Sequence, residues 1–221
     1  MNTNVRENTC DFRLQASFGG LIAGPSKAGK STLICELIKN RNTWINGKIE
    51  KVVYCYVYLS KELSSLQAKE PDSIVLVDNL DDIESHLTKH CLLVVDDGLM
   101  YMDNTKYVRK ITEFFTQRIH HQHISCLLVT QNVFHASLRT IAINSDFICL
   151  FNSPRNKGTV IQLAKDFSPH NIGYVLEAFK RAVHDKPHAY IVFDFRQSCP
   201  DRFRLRDKLY PDKDMNIFVP Q

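Results

Sequence analysis

Short apolar runs alternate along this chain with stretches in which apolar residues recur at helical spacing. Phe18-Gly19-Gly20-Leu21-Ile22-Ala23 is apolar, short and glycine-bounded, like a buried strand. From Thr32 to Lys39, Leu33 and Leu37, and Ile34 and Ile38, repeat at the spacing of one helix face. Lys51 to Val57 reads as a second strand and Ser60 to Gln67 as a short helix. Ser73 to Val77 reads as a short edge strand, and Asp81 to Leu87 as a short helix capped by Asp81. Cys91-Leu92-Leu93-Val94-Val95 is the most buried-looking strand. Thr105 to His121 is expected to form one long amphipathic helix with Val108, Ile111, Phe115 and Ile119 on one face. Strands follow at Ile124 to Gln131 and Phe147 to Phe151, separated by a helical turn or tight loop from Leu138 to Asn144. Helices near Gly158–Phe167 and Asn171–His184 lead to a last strand, Ala189 to Phe195.

Continuous apolar strands between helices predict an α/β fold with a mainly parallel central sheet covered by helices on both faces. Ligands of such sheets bind at the carboxyl ends of the strands. No repeat, linker or low-complexity segment divides the chain. A single domain over residues 1–221 is therefore expected, with 1–15 as an N-terminal extension and 196–221 as a C-terminal strand and tail packed on the same domain.

The first strand and helix enclose Gly24-Pro25-Ser26-Lys27-Ala28-Gly29-Lys30-Ser31, which fits G-x-x-x-x-G-K-[ST], the phosphate-binding P-loop. Gly24 and Gly29 let the backbone turn tightly and bring its N–H groups close to phosphate oxygens. Lys30 would place an ammonium on the β- and γ-phosphates of ATP, and the Ser31 hydroxyl could ligate Mg²⁺. The binding segment is expected to run from Gly24 to Thr32, with the positive end of the helix beneath the anion.

Asp96 and Asp97 end the strand that starts at Cys91, which is the Walker B arrangement. The first carboxylate suits Mg²⁺, and the second is placed to polarise a water for attack on the γ-phosphate. Thr130-Gln131-Asn132 ends the next strand, where a polar side chain would sense the γ-phosphate; Gln131 is the first choice and Asn132 the second. A ring-forming ATPase usually takes an arginine from its neighbour, and Arg118, Arg139 and Arg155 are the candidates. His120-His121-Gln122-His123 lacks the i, i+4 spacing of a helical metal site and reads as a helix terminus. Arg202, Arg204 and Arg206 alternate with Phe203 and Leu205, so on a strand three cations would share one face, either solvated or tracking phosphates.

Composition narrows the setting. The net charge of +4 permits a nucleic-acid partner without demanding one. Seven cysteines, several inside apolar runs, fit reduced core thiols in a reducing compartment. No apolar run approaches a membrane span, and the N-terminus has no apolar signal-peptide core. The expectation is an intracellular protein, or one carried in a particle assembled inside the cell, and not a secreted one.

Four segments together resemble the viral genome-packaging ATPases of the FtsK–HerA superfamily, in particular the poxvirus-type enzymes and those of polinton, adintovirus and virophage-like elements. They are Ile22 to Ser31, Leu93 to Asp97, His120 to Ser125 leading to Val129–His135, and Leu150 to Lys157. The resemblance implies an ASCE-type P-loop NTPase that forms a homo-oligomeric ring, a pentamer or hexamer. It implies pumping of double-stranded DNA into a preformed capsid through a capsid or portal/vertex protein, in an infected host cell or in association with the virion. It implies that Lys30 and Ser31 bind nucleotide and Mg²⁺, that Asp96 holds the metal, that Asp97 activates water and that Gln131 senses the γ-phosphate. The family often has a basic residue in its His-His segment, where this chain has Gln122, which leaves Arg139 favoured as the trans arginine. The alternatives are a small-molecule P-loop kinase, which would need a water-excluding lid, and a nucleotide-gated scaffold. The second carboxylate at Asp97 and the lack of an arginine-rich lid favour hydrolysis.

Overall fold

The apolar runs become the strands of one large sheet in the computed structural model, which describes residues 10–153, 157–184, 186–210 and 214–220. In chain order the strands are β1 (Leu14–Gln15), β2 (Gly19–Ala23), β3 (Ile45–Asn46), β4 (Lys51–Cys55), β5 (Ile74–Val77), β6 (Cys91–Val95), β7 (Ser125–Thr130), β8 (Phe147–Phe151), β9 (Tyr190–Asp194) and β10 (Leu205–Arg206). The helices are α1 (Lys30–Lys39), α2 (Arg41–Trp44), α3 (Lys61–Lys69), α4 (Thr105–Glu113), α5 (Ile119–Gln122), α6 (Arg139–Ile143), α7 (Lys157–Phe167) and α8 (Ile172–Val183).

The large sheet has the order β10-β9-β8-β2-β7-β6-β4-β5. Its six strands from β8 to β5 are parallel, whereas β9 is antiparallel to β8 and β10 to β9. The sheet is thus mainly parallel, and β5 is the edge strand expected. β1 and β3 form a separate parallel pair.

Successive residues of a strand face opposite sides, and here both sides are apolar. Leu21, Val53, Leu93 and Leu128 pack on one face against Phe114, Phe115, Ile119 and Val175. Ile22, Val52, Val94 and Val129 pack on the other against Leu33, Ile34, Leu37 and Ile38 of α1. Full burial of one such side chain contributes roughly 1.5–3 kcal/mol, so the two layers hold the strand ends firmly in place. Six cysteines are buried and every cysteine of the described residues is a free thiol.

Three local expectations are corrected. The long helix over 105–121 is α4, a π-helical turn (Phe114–Arg118) and α5 in succession, and the wide turn carries two successive buried aromatics, Phe114 and Phe115. The segment after Asp81 is only a 3₁₀ turn (Asp82–Ser85), and Asp81 does not cap it. Its carboxylate instead accepts from Lys106 Nζ (2.8 Å) and the Tyr107 hydroxyl (3.2 Å). Arg202, Arg204 and Arg206 share no strand face: Asp201–Phe203 is a 3₁₀ turn, and only Leu205–Arg206 pairs with the sheet. Arg206 is fully buried and donates to Asp194 Oδ2 (2.8 Å), which also accepts from Arg196 Nη2 (2.6 Å). Burial raises the Asp194 pKa, but the two guanidiniums outweigh it and hold the carboxyl below its usual range. A buried carboxylate needs a cation, and that need overrides strand alternation.

Candidate active site

Because β2 lies between β7 and β8, the loop that follows Ala23 starts between their carboxyl ends. The Gly24 N–H donates to the Thr130 carbonyl at the end of β7 (3.1 Å). A Cβ on Gly24 would lie 2.6 Å from Phe151 Cβ on the other side, so only glycine fits there. Gly29 is left-handed at φ 105° and closes the turn into α1. That helix has no side-chain cap at Gly29 and no acidic residue in its first turn. Its leading N–H groups and positive dipole end are left for an external anion. Lys30 folds over the loop, with Nζ donating to the carbonyls of Gly24 (2.8 Å) and Pro25 (2.9 Å). Burial lowers its pKa, and the charges of Asp96 and Asp97 act in the opposite direction.

A hollow of about 290 Å³ opens beside this loop, lined by Ser26, Lys27, Lys30, Ser31, Asp96, Asp97, Thr130, Gln131 and residues 57–60. The Asp96 N–H donates to the Cys55 carbonyl (2.9 Å), which prolongs the β4–β6 pairing and holds Asp96 at the rim. Its Oδ1 accepts from the Asp97 N–H (2.9 Å) and its Oδ2 from the Tyr54 hydroxyl (2.8 Å). Asp97 is left-handed at φ 49°, a conformation aspartate tolerates better than most residues. Gln131 Nε2 donates to Asp97 Oδ1 at 3.4 Å. Asn132 is used otherwise: its Oδ1 accepts from the Phe134 N–H (3.0 Å) and closes the turn after β7. Ser31 and Asp96 supply hard oxygen donors of the kind Mg²⁺ prefers, so the residues fit such an ion.

The two candidate arginines among the described residues, Arg118 and Arg139, do not line this hollow. Arg118 lies before the amino end of β7, whereas the hollow is at the carboxyl ends. Its guanidinium pairs with Glu84 (2.7 Å), donates to Gln122 (2.8 Å) and covers the Phe114 ring at 4.3 Å. Arg139, at the start of α6, is exposed and lines a separate hollow with Phe134, His135 and Ile143. Arg155 lies outside the described residues. The histidine segment is the last turn of α5, ended by His123 in the left-handed region at φ 55°.

On the far side of the loop a second hollow of about 310 Å³ is lined by Gly29, Thr32, Leu33 and Glu36, together with Phe151, His188, Tyr190, Lys208 and Tyr210. The Phe151 and Tyr190 rings are 5.0 Å apart, and Tyr210 stacks on Trp44. Neither Tyr190 nor Tyr210 was expected at the loop from the sequence, because antiparallel β9 and the segment after β10 bring them there from far along the chain. Tyr54 was missed as well, although a tyrosine inside the apolar run Lys51–Cys55 is a signal that a buried hydroxyl needs a partner.

No protein-family model matches the sequence, and none of the curated proteins does. Solved structures do resemble it. The genome packaging NTPase B204 of Sulfolobus turreted icosahedral virus 2 in complex with sulfate superposes with a TM-score of 0.58 at 16% identity, over 93% of this chain and 98% of that one. The same protein in complex with AMPPCP gives 0.56 at 18% identity, again over 93% and 98%. The cytoplasmic domain of the type VII secretion ATPase EccC of Thermomonospora curvata gives 0.54 at 14% identity, over 89% of this chain and 24% of that one. The chain therefore shares the fold of these NTPases, an α/β fold with a mainly parallel central sheet, as the sequence leads one to expect.

Proposed function

We propose that the chain is a single Mg²⁺-dependent ATPase domain that drives double-stranded DNA, as the motor that packages a viral genome into a preformed capsid. The observation that carries this reading is the gathering of Lys30, Ser31, Asp96, Asp97 and Gln131 around one hollow at the carboxyl ends of parallel strands. Two carboxylates beside the glycine loop suit activation of a water. The triphosphate lies along Gly24–Thr32, with Lys30 moving from the loop carbonyls to the β- and γ-phosphates. Ser31 and Asp96 would hold Mg²⁺, which would supply neutralisation of phosphate charge when bound. Asp97 accepts a proton from the attacking water while the bond from the γ-phosphorus to its bridging oxygen breaks, and Gln131 ties Asp97 to the end of β7. The base and sugar leave the loop on the other side, into the aromatic hollow beside Gly29 and Thr32.

The superposition with a genome packaging NTPase over most of both chains supports the motor role. In the ring that this role requires, Arg139 is the exposed cation offered to a neighbouring copy. The test is phosphate release from Mg·ATP with and without duplex DNA and no added acceptor, paired with a mass measurement. Stimulation by DNA and specific activity rising with protein concentration are expected. No phosphate release here, with transfer once a small-molecule acceptor is supplied, would identify a kinase instead. Turnover independent of concentration where only monomer exists would remove the trans arginine.

A further inference from the structure

Tyr54 has a place in this machinery that no motif assigns. Its ring is 2% exposed and lies in the core layer beneath α1, where phenylalanine would fill the same space. A buried hydroxyl costs roughly 1–3 kcal/mol unless it is hydrogen-bonded, so its single atom beyond phenylalanine calls for a reason. That atom reaches Asp96 Oδ2 at 2.8 Å. Tyr54 pairs with Val94, two residues before Asp96, so the pleat puts the ring and the carboxylate on one face of the sheet. A phenol is protonated at neutral pH and a carboxylate only accepts, so the Tyr54 hydroxyl is the donor of this bond. With Oδ1 held by the Asp97 N–H, both oxygens have a fixed donor, and rotation of the carboxylate is blocked. The outer lone pairs are left for the hollow that Lys30 and Ser31 also line.

We propose that Tyr54 is a positioning residue that orients the Asp96 carboxylate for a divalent cation in the nucleotide hollow. The inference rests on reading that hollow as a Mg·ATP site. Partners that orient metal-binding groups typically matter by about 10–100-fold in metal affinity or activity. The test is Tyr54→Phe, which keeps the ring and removes the hydroxyl. Mn²⁺ is titrated into protein saturated with ADP, and the electron paramagnetic resonance signal of free Mn²⁺ reads the site without turnover. Mn²⁺ binding is expected to weaken about tenfold, with ADP affinity in EDTA and the thermal midpoint little changed. In an Asp96→Asn background the same substitution should change Mn²⁺ binding no further. Affinity within about twofold of the parent protein would overturn the inference alone. So would an equal loss of metal-free ADP binding, since packing then explains the residue. A parent protein that binds no Mn²⁺ with ADP would overturn the site reading along with it.

Discussion

On one side of the glycine loop the walls are the ends of parallel strands β4, β6 and β7 and the turns that follow them, and they offer carboxylates, hydroxyls and an amide. On the other side the walls are β8, antiparallel β9 and the segment after β10, and they are largely aromatic. Under the proposed function, the contrast separates two tasks within one nucleotide site. Groups that must meet charge stand on strands locked by both core layers, where small displacements are resisted. Groups that only have to offer a flat surface come from the sheet's antiparallel edge and the chain beyond it.

This division can be broken by substitution. The largest effect is expected for Asp97→Asn, which should lower turnover by about 10²–10⁴-fold in a phosphate-release assay while leaving ATP affinity nearly unchanged. Lost affinity with retained turnover would assign Asp97 to binding and blur the two sides. Next comes Lys30→Ala, expected to weaken ATP binding by about a hundredfold in a fluorescent-nucleotide titration, because the triphosphate loses its half-buried cation. Unaltered binding would mean that the loop is not where phosphate sits. On the aromatic side, Tyr210→Ala should weaken ATP by about tenfold, in line with the usual cost of losing a stacked ring. Tripolyphosphate, which has no base, should compete equally well against parent and variant, and a parallel loss for it would place Tyr210 on the phosphate side. The smallest effect belongs to Arg118→Ala. Its pair with half-exposed Glu84 predicts a loss of about 1 kcal/mol or less in urea unfolding, with turnover unchanged. A collapse of turnover would favour Arg118 over Arg139 as the trans arginine.

The same contrast explains what could be read from the sequence. The acidic side is written in local patterns: a glycine loop before a helix, an apolar run ending in Asp96 and Asp97, another ending in Thr130 and Gln131. Each pattern needs only its neighbours in the chain, and the parallel topology then brings the strand ends together. His188, Tyr190 and Tyr210 carry no local mark, because their nearness to Gly29 is made by long-range pairing of β9 with β8. Arg206 shows the opposite failure. Alternation with Phe203 and Leu205 suggested a charged face, but the pull of a buried carboxylate at Asp194 decided where the guanidinium went. Tyr54 was hidden because an apolar strand accounts for its ring and says nothing about its hydroxyl.

The crowding between residues 24 and 151 has one more consequence. Since the conflict is with the Cβ of Phe151 and not with the ring alone, trimming that side chain to alanine does not make room for alanine at 24. There is space for one methylene at this crossing, and Phe151 holds it. Transferring the vacancy to position 151 would strip the neighbouring aromatic wall of a ring, so any redesign of that wall at 151 inherits a constraint from the turn at Gly24.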